Sequence, residues 1–490
     1  MHRPMVAAFA ASLVCALVLN PGHAAQAASS ARASQTSHFA DDPYPSTYQR
    51  IASAPVLISG ATVLTGNGAR MDGADVLMRD GRIVAVGTGL DVPIDAIRVD
   101  GRGKWVTPGL IDIHSHLGVY ASPQVDAQAD GNEATSPVTA NVWAEHSVWP
   151  QDPGFLTALA GGITSLQVLP GSANLIGGRG VTLKNVPSNT YQGMKFPGAP
   201  WGLKMACGEN PKRVYGQKGG PSTLMGNVAG YRAAFIDAAE YLKKNATAKA
   251  APQKKHWWQS SDAADSNADS GGKRDLKLDT LAGAINGDIR VHIHCYRADE
   301  MATMLDLAKE FGFKIAAFHH GVEAYKIADR LAAEGVCGAL WADWWGFKME
   351  AFDGIQENIA MVDRPQNGCA IVHSDSEEGI QRLNQEAAKA MAHAKQAGID
   401  IPPEHAIRWL TQNPAKAMGI LEQTGTLEPG KMADVVLWNG TPFSVYAHAE
   451  QVYIDGARVF DRNDPARQPK SDFMLGQDTA AQNANLGGVR

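Results

Sequence analysis

The sequence predicts an α/β protein made of a (β/α)8 barrel and a small β-sandwich domain built from both chain ends. Within residues 108–421, short apolar runs that end in polar residues or glycine alternate with helical patterns. This alternation is typical of parallel strands closed into a TIM barrel. At 490 residues and 44% hydrophobic content, the chain is large enough to bury a core of that size.

The sandwich is predicted from β-branched runs on both sides of the barrel stretch, in residues 55–107 and 422–465. Each side contains an Asp-Gly turn between apolar runs, which is a strong hairpin signal. The turns are Asp80-Gly81 and Asp455-Gly456. Periodicity alone does not show that the two segments pair, so a single composite domain is an expectation.

Residues 1–27 have the pattern of a secretory signal peptide. A basic start precedes an apolar run from Met5 to Leu19, and Ala25-Gln26-Ala27 offers a small-residue site with cleavage expected after Ala27. The apolar run is shorter than the ~20 residues that a spanning helix needs, although an uncleaved anchor is the alternative. We therefore expect a periplasmic or secreted protein without a stable membrane anchor after cleavage.

Composition predicts three further segments: a flexible leader (28–54), a polar surface insertion within the barrel stretch (243–273) and a C-terminal tail (466–490). Four cysteines follow the signal segment, and they form neither a CxxC motif nor a disulfide-dense pattern. We expect them to be buried thiols: Cys207, Cys295, Cys337 and Cys369. The net charge of −6 and the absence of a basic stripe argue against a nucleic-acid partner.

The ends of the predicted barrel strands carry histidines and a carboxylate, in the place where barrel enzymes keep their catalytic groups. His114 and His116 end one run and share a face, so both can point into the barrel mouth. In Val291-His292-Ile293-His294 we assign His294 to the mouth and His292 to a lower layer. Of the adjacent His319 and His320 we expect only one to face inward, and we choose His320.

Asp375 ends a further apolar run, where an acidic side chain is costly to bury unless it meets a metal, a proton or a donor. It suits a group that takes a proton from water and passes it to a leaving nitrogen. Histidines and a carboxylate at four strand ends predict a metal site. Residues 202–210 contain two candidates for a bridging ligand, Glu209 as it stands and Lys204 if carbamylated, and we favour Glu209 because it needs no modification.

These motifs resemble the amidohydrolase superfamily, in the imidazolonepropionase-like and prolidase-like branch. The resemblance rests on TPGLIDIHSHLG, GGITSLQVLPGSANLIGGRG, GENPKRVYG and TQNPAKAMGILEQTGTLEPGKMADVVLW. It implies a barrel with a β-sandwich and one or two zinc ions per chain. The implied metal ligands are His114, His116, His294, His320 and Asp375, with Lys204 matching a carbamylated lysine. The GEN that follows LKMAC differs from the glycine-rich sequence usual in prolidase-like relatives, so the identity of the bridging ligand stays open.

The resemblance implies hydrolysis by a metal-activated water, with Asp375 moving the proton and His320 stabilising the oxyanion. We expect the substrate to be a small amide, either a dipeptide or an N-acyl amino acid. Opening of a cyclic amide or deamination is the alternative reaction, and a non-catalytic exported binding protein is the alternative class. A homo-oligomer is compatible with the sequence. Loop residues after the strands are the substrate-binding candidates: Asn174, Arg179, Arg213, Tyr215, Arg297, Trp344 and Trp345.

Overall fold

The computed structural model describes Phe39, residues 41–250 (backbone only from 246), residues 274–465 and Gln468. The predicted signal peptide and most of the predicted insertion and C-terminal tail lie outside the described residues. Within the described part, no helix has both the length and the apolar character that crossing a membrane requires.

In the part of the chain that the structure describes, sixteen strands form two sheets. In chain order they are β1 (Val56–Leu64), β2 (Arg70–Arg79), β3 (Arg82–Gly87), β4 (Ile97–Asp100), β5 (Trp105–Pro108), β6 (Leu110–Ser115), β7 (Ile163–Val168), β8 (Ile176–Lys184), β9 (Gly202–Ala206), β10 (Arg290–Cys295), β11 (Ile315–His320), β12 (Cys337–Leu340), β13 (Ala370–Val372), β14 (Val435–Trp438), β15 (Ala449–Ile454) and β16 (Ala457–Asp461).

The helices lie mainly between the strands of the second half of the chain. They are α1 (Pro153–Ala160), α2 (Tyr191–Met194), α3 (Glu209–Tyr215), α4 (Leu224–Ala250), α5 (Leu276–Asn286), α6 (Ala298–Phe311), α7 (Ala328–Glu334), α8 (Asn358–Asp363), α9 (Leu383–Gln396), α10 (Pro403–Ala406) and α11 (Gln412–Met418).

Strands β6 to β13 form one nearly closed eight-stranded sheet, which gives the chain a TIM-barrel-like α/β fold. Its two end strands approach each other where the Asp375 amide donates to the His114 carbonyl at 3.1 Å. The prediction of eight parallel strands is wrong in one element. β8 runs antiparallel to both β7 and β9, because it returns from β7 in a hairpin instead of through a crossover helix.

The remaining eight strands form the second sheet, in the order β16-β15-β14-β5-β1-β2-β3, with β4 beside β1. β5, from the N-terminal part, pairs antiparallel with β14, from the C-terminal part. Trp438 lies opposite Trp105 in that register, and its indole nitrogen donates to Thr107 Oγ1 at 3.0 Å. The two ends of the chain therefore share one sheet, and they flank the barrel in sequence as the patterning suggested.

A buried ionic group joins the barrel to this sheet. Lys184, the last residue of β8, has no exposed side-chain surface, and its Nζ lies 2.8 Å from Asp455 and 3.4 Å from Asp434. Asp434 also accepts from Thr424 Oγ1 at 2.8 Å, and Asp455 accepts from Tyr48 OH at 2.5 Å. Charges are tolerated here because every carboxylate has donors.

Two of the predicted surface segments differ from expectation. The latter part of the leader is held by specific contacts: Lys195 Nζ lies 2.8 Å from the Asp42 carboxylate and donates to the Tyr44 carbonyl at 3.0 Å. The backbone of residues 243–250, assigned to the insertion, continues α4. Polar composition alone does not distinguish an exposed helix turn or a docked extended segment from a flexible one.

The four cysteines are paired, so the expectation of buried thiols is wrong. Cys207 bonds to Cys295 and Cys337 bonds to Cys369, with Cα–Cα distances of 5.2 and 4.6 Å. Each pair bridges neighbouring strands, β9 with β10 and β12 with the start of β13. The sequence hides this pairing because the partners lie 88 and 32 residues apart.

Candidate metal centre

Side chains from three barrel strands meet at the C-terminal ends of β6, β11 and β13. Asp375 Oδ1 lies 3.2 Å from His114 Nε2 and 3.1 Å from His116 Nε2, and these two ring nitrogens are 3.3 Å apart. His320 Nδ1 lies 3.9 Å from Asp375 Oδ2. A second group, formed by His114, His320 and His373, has its ligand atoms within 4.8 Å of one another. The structure therefore brings four histidines and one carboxylate to a single point.

The two adjacent histidines of β11 both lie inside the barrel, which corrects the expectation that only one faces inward. His319 lies one layer below the mouth, where its Nδ1 is 2.9 Å from His114 Nδ1 and its Nε2 is 3.0 Å from His292 Nδ1. His320 reaches the mouth because its φ of +73° bends the strand end. Alternation fails here since it holds only for extended backbone.

His294 lies beside this group. Its ring centroid is 4.6 Å from that of His320, and its Nε2 is 3.4 Å from Asn210 Nδ2. His292, two residues earlier, is fully buried below it against His319, in the lower layer where the sequence placed it.

Burial keeps the imidazoles neutral. It lowers the pKa of His373 to about 4 and holds the pKa values of His114, His294 and His320 well below the usual range. Burial raises the pKa of Asp375, but the nearby His320 and a hydrogen bond from His116 outweigh it, and the pKa ends below its usual range. Neutral ring nitrogens around an ionised carboxylate are a donor set suited to a divalent cation.

A hydrogen bond behind the His116 ring fixes how it points, and a second one links the strands that carry the ligands. Leu169 O lies 2.9 Å from His116 Nδ1 and can only accept, so Nδ1 donates to it and the ring is held with Nε2 toward Asp375. Asp112 and Ser374 link the strands that carry His114 and Asp375, with a 2.5 Å hydrogen bond from Ser374 Oγ. Burial raises the pKa of Asp112 to about 7.

The two candidates for the bridging ligand lie in different environments. Lys204 is buried in the barrel, its Nζ donates to Pro170 O at 2.8 Å, and burial lowers its pKa to about 8. Its charge contributes to the lowered pKa of His114 and His294, after burial. Glu209, which the sequence favoured, has a 34% exposed side chain and lies 3.4 Å from Lys348 Nζ. It takes no part in either group of possible ligands among the described residues.

Aromatic side chains from the loop after β12 cover His320. The Trp341 ring centroid is 4.3 Å from that of His320, and the Trp344 ring follows at 5.5 Å from Trp341. Trp344 and Trp345 line a narrow cavity beside His320. Trp344 is 42% exposed, so it lies between the site and the solvent.

Three of the predicted substrate residues hold the protein together instead. Arg179 is 1% exposed and faces away from the site, where it donates to the Phe39 carbonyl at 2.8 Å and to Thr280 Oγ1 at 2.9 Å. The cause is that it belongs to β8 and not to a loop. Asn174 and Tyr215 are buried and hydrogen-bonded to each other at 2.8 Å.

The other two candidates after β9 and β10 are exposed. Arg297 pairs with Asp299 at 2.9 Å on the surface, at the start of α6. Arg213 donates to Asn210 Oδ1 at 3.3 Å, and Asn210 in turn lies beside His294. Of the predicted arginines, Arg213 thus remains next to the site.

His373 is a member of this histidine group to which the sequence analysis gave no role. Its Nε2 accepts a hydrogen bond from the His320 amide at 3.2 Å, which joins β11 to the end of β13. The available signal was its position two residues before Asp375, since residues at this spacing share one face of an extended strand.

Comparison with known proteins agrees with this architecture. A sequence profile of the amidohydrolase family matches residues 356–472. The crystal structure of an amidohydrolase from Thermotoga maritima is 36% identical and superimposes with a TM-score of 0.73, covering 83% of this chain and 100% of that one. The chain belongs to the amidohydrolase superfamily.

Relatives with curated names fall in the same superfamily. Amidohydrolase tasK of Hapsidospora irregularis is 32% identical over 424 residues, which are 83% of this chain and 41% of that protein. The chain thus spans less than half the length of this relative. An imidazolonepropionase of Mesorhizobium japonicum is 24% identical over 74% of this chain and 86% of its own length.

Proposed function

We propose that the protein is a metal-dependent hydrolase that cleaves the C–N bond of a small amide, such as a dipeptide or an N-acyl amino acid. The observation that carries the proposal is the convergence of histidines on the Asp375 carboxylate at the barrel mouth. Membership of the amidohydrolase superfamily supports it. So do relatives named as imidazolonepropionase, deacetylase and dihydroorotase.

The residues fit one or two zinc ions. His114 Nε2 and His116 Nε2 both face Asp375 Oδ1, at 3.2 and 3.1 Å. The Nδ1 atoms of His294 and His320 are buried, and among the described residues they have no hydrogen-bond partner. A buried nitrogen without a hydrogen-bond partner lowers the stability of the fold. A divalent cation bound to the nitrogen lone pair removes this penalty.

When bound, a divalent cation lowers the pKa of water and polarises the carbonyl of the amide. Asp375 supplies the proton transfer: its carboxylate takes a proton at Oδ2 and returns it to the leaving nitrogen. His320, whose ring lies near Asp375 and Trp341, is the group that would stabilise the charge gained by the carbonyl oxygen.

We propose Lys204 in place of Glu209 as the bridging ligand. Neutral Lys204 Nζ adds to the carbon of CO₂ and releases one proton, which leaves an anionic carbamate inside the barrel. Its burial and its position on β9, in register with His292, support this assignment. Glu209 lies beside Lys348 and Glu350 at the surface of the mouth.

The substrate-binding side chains that we retain are Trp344, beside His320, and Arg213, beside Asn210. The tryptophan offers an apolar surface, and the guanidinium can pair with a carboxylate. Ring opening of a cyclic amide is the second candidate reaction, favoured by the match along 86% of the imidazolonepropionase sequence.

We further propose that the protein works in the periplasm or outside the cell. Besides the signal-like N-terminus, the two disulfides support an oxidising compartment, because cytosolic thiols are normally kept reduced.

A mass-detected hydrolysis screen of the zinc-loaded protein tests the reaction, with dipeptides, N-acyl amino acids and cyclic amides as substrates and a chelated sample as control. We expect chelator-sensitive cleavage of linear amides. Asp375→Asn should lower turnover by about 10²- to 10⁴-fold and keep bound zinc. Asp306→Asn, on the surface next to Arg330, is the matched control. Cleavage of cyclic amides alone would replace the proposal with the second candidate. Zinc binding without any cleavage would favour a binding protein.

A further inference from the structure

The Cys207–Cys295 disulfide lies directly behind the candidate metal centre. β9 and β10 run parallel with Lys204 opposite His292 and Ala206 opposite His294. The last backbone hydrogen bond between the two chain segments runs from the Cys207 amide to the His294 carbonyl, at 2.9 Å. After it the two chains separate into α3 and toward α6. The disulfide therefore closes the two strand ends at the point where hydrogen bonding between them stops.

Strand alternation places the disulfide and the site on opposite faces of these strands. Cys295 follows His294 directly, so the two side chains point to opposite sides of the sheet. Cys207 and Cys295 are buried in the same apolar cluster as Met205, Ile293 and Met301 of α6. The bond thus restrains the backbone of His294 from the outer side of the barrel and leaves the inner side to the ligands.

His294 needs such a restraint more than His114 and His116 do. His116 is oriented by Leu169 O at 2.9 Å, and His114 Nδ1 lies 2.9 Å from His319 Nδ1. His294 Nδ1 has no hydrogen-bond partner among the described residues, and Nε2 has only a 3.4 Å contact with Asn210. A ring without a hydrogen-bonded partner behind it takes its position from its backbone.

We propose that the Cys207–Cys295 disulfide positions His294, and through the β9–β10 register Lys204, for cation binding. This inference rests on the proposed metal-dependent function. It makes the disulfide a positioning element of the site in addition to a stabilising crosslink.

The second disulfide provides a matched control. Cys337–Cys369 also joins neighbouring barrel strands, but it lies at the opposite end of β12 and β13. Its neighbours in the apolar cluster are residues such as Ile111, Ala317 and Ala415, and none of these is a candidate ligand. Its removal should lower stability without changing the cation site.

The test compares zinc affinity, by competition with a chromophoric chelator, and the visible spectrum of the cobalt-substituted protein. For Cys207→Ala/Cys295→Ala we expect about a 10- to 100-fold weaker zinc affinity and an altered cobalt spectrum. Cys337→Ala/Cys369→Ala should match the wild-type protein in both. Equal affinities in the two double variants would overturn the inference.

Two further variants separate the possible failures. Asn210→Ala keeps the disulfide and should leave zinc affinity unchanged, even if the first double variant does not fold. A 10-fold or larger loss in that variant would assign the positioning of His294 to Asn210 and overturn the inference. His114→Ala/His116→Ala tests the proposed function itself: if it binds zinc as the wild-type protein does, the metal site is elsewhere.

Discussion

Lys184→Met tests how the barrel and the second sheet are held together. Lys184 has no exposed side-chain surface, and its Nζ lies 2.8 Å from Asp455 and 3.4 Å from Asp434. Methionine keeps the length of the side chain and removes the charge, so two carboxylates stay buried without their cation. Breaking a buried pair in this way costs about 3–5 kcal/mol in the free energy of unfolding. Lys309→Met is the control, because Lys309 lies at the same 2.8 Å from Glu334 but is 61% exposed. It should cost about 0–1 kcal/mol.

The pH dependence sharpens this test. Burial already raises the pKa of Asp434, and removal of Lys184 should raise it further. When the pKa of a carboxyl group is higher in the folded than in the unfolded state, the folded protein becomes less stable as the pH rises through that folded-state pKa. The decrease in the free energy of unfolding caused by Lys184→Met should therefore be larger at pH 8 than at pH 5. Urea unfolding followed by tryptophan fluorescence at both pH values measures it. A deficit that equals that of Lys309→Met, at either pH, would refute the reasoning.

Three other substitutions test separate parts of the structure. Burial raises the pKa of Glu145 to about 7, partly offset by Lys195, so the stability of the wild-type protein relative to Glu145→Gln should fall as the pH rises from about 4.5 to 7 in unfolding titrations. Arg179→Met, which removes the bond to the Phe39 carbonyl, should lower the free energy of unfolding by about 1.5–3 kcal/mol with KM unchanged; a raised KM would return Arg179 to the substrate site. Trp344→Ala should raise KM and change stability by no more than about 0.5 kcal/mol, and an unchanged KM would remove Trp344 from the substrate site.

The sequence predicted the barrel from apolar runs that end in polar residues or glycine, and such runs form β6, β7 and β9 to β13 of the barrel sheet. It missed β8, whose text is IGGRGVTLK. Three of these nine residues are glycine. Such a content is typical of a loop, because glycine in the interior of a strand weakens it. Here β7 and β9 form backbone hydrogen bonds with β8 on both of its sides, and every residue of β8 is buried. Tertiary pairing overrode the local preference, and this is why Arg179 was assigned to a loop.

The site was predictable to the extent that it depends on strand ends. The HxH pair, His294 and Asp375 all follow from apolar runs that stop at polar residues. The choice between Lys204 and Glu209 does not, because it depends on which side chain is inside the barrel and which lies beside Lys348. The disulfides also needed the fold, since the bond between residues 207 and 295 requires the register of β9 against β10.

The clearest departure from local rules occurs at the chemistry itself. His320 and Asp375 have φ values of +73° and +53°, in the left-handed region that costs a non-glycine residue roughly 1–2 kcal/mol. An extended backbone would continue the alternation and send one of two adjacent side chains away from the barrel. The bend at His320 brings a second histidine of β11 into the interior, and the bend at Asp375 lies where the carboxylate meets His114 and His116.

Strain in a backbone persists only where the surrounding structure over-determines it. Around these two residues the surroundings are a hydrogen bond from the His320 amide to His373 and one from the Asp375 amide to the His114 carbonyl. The same bonds that hold the strained backbone thus link the strands whose side chains form the site, so replacing either strained residue should disturb its neighbours as well as its own function.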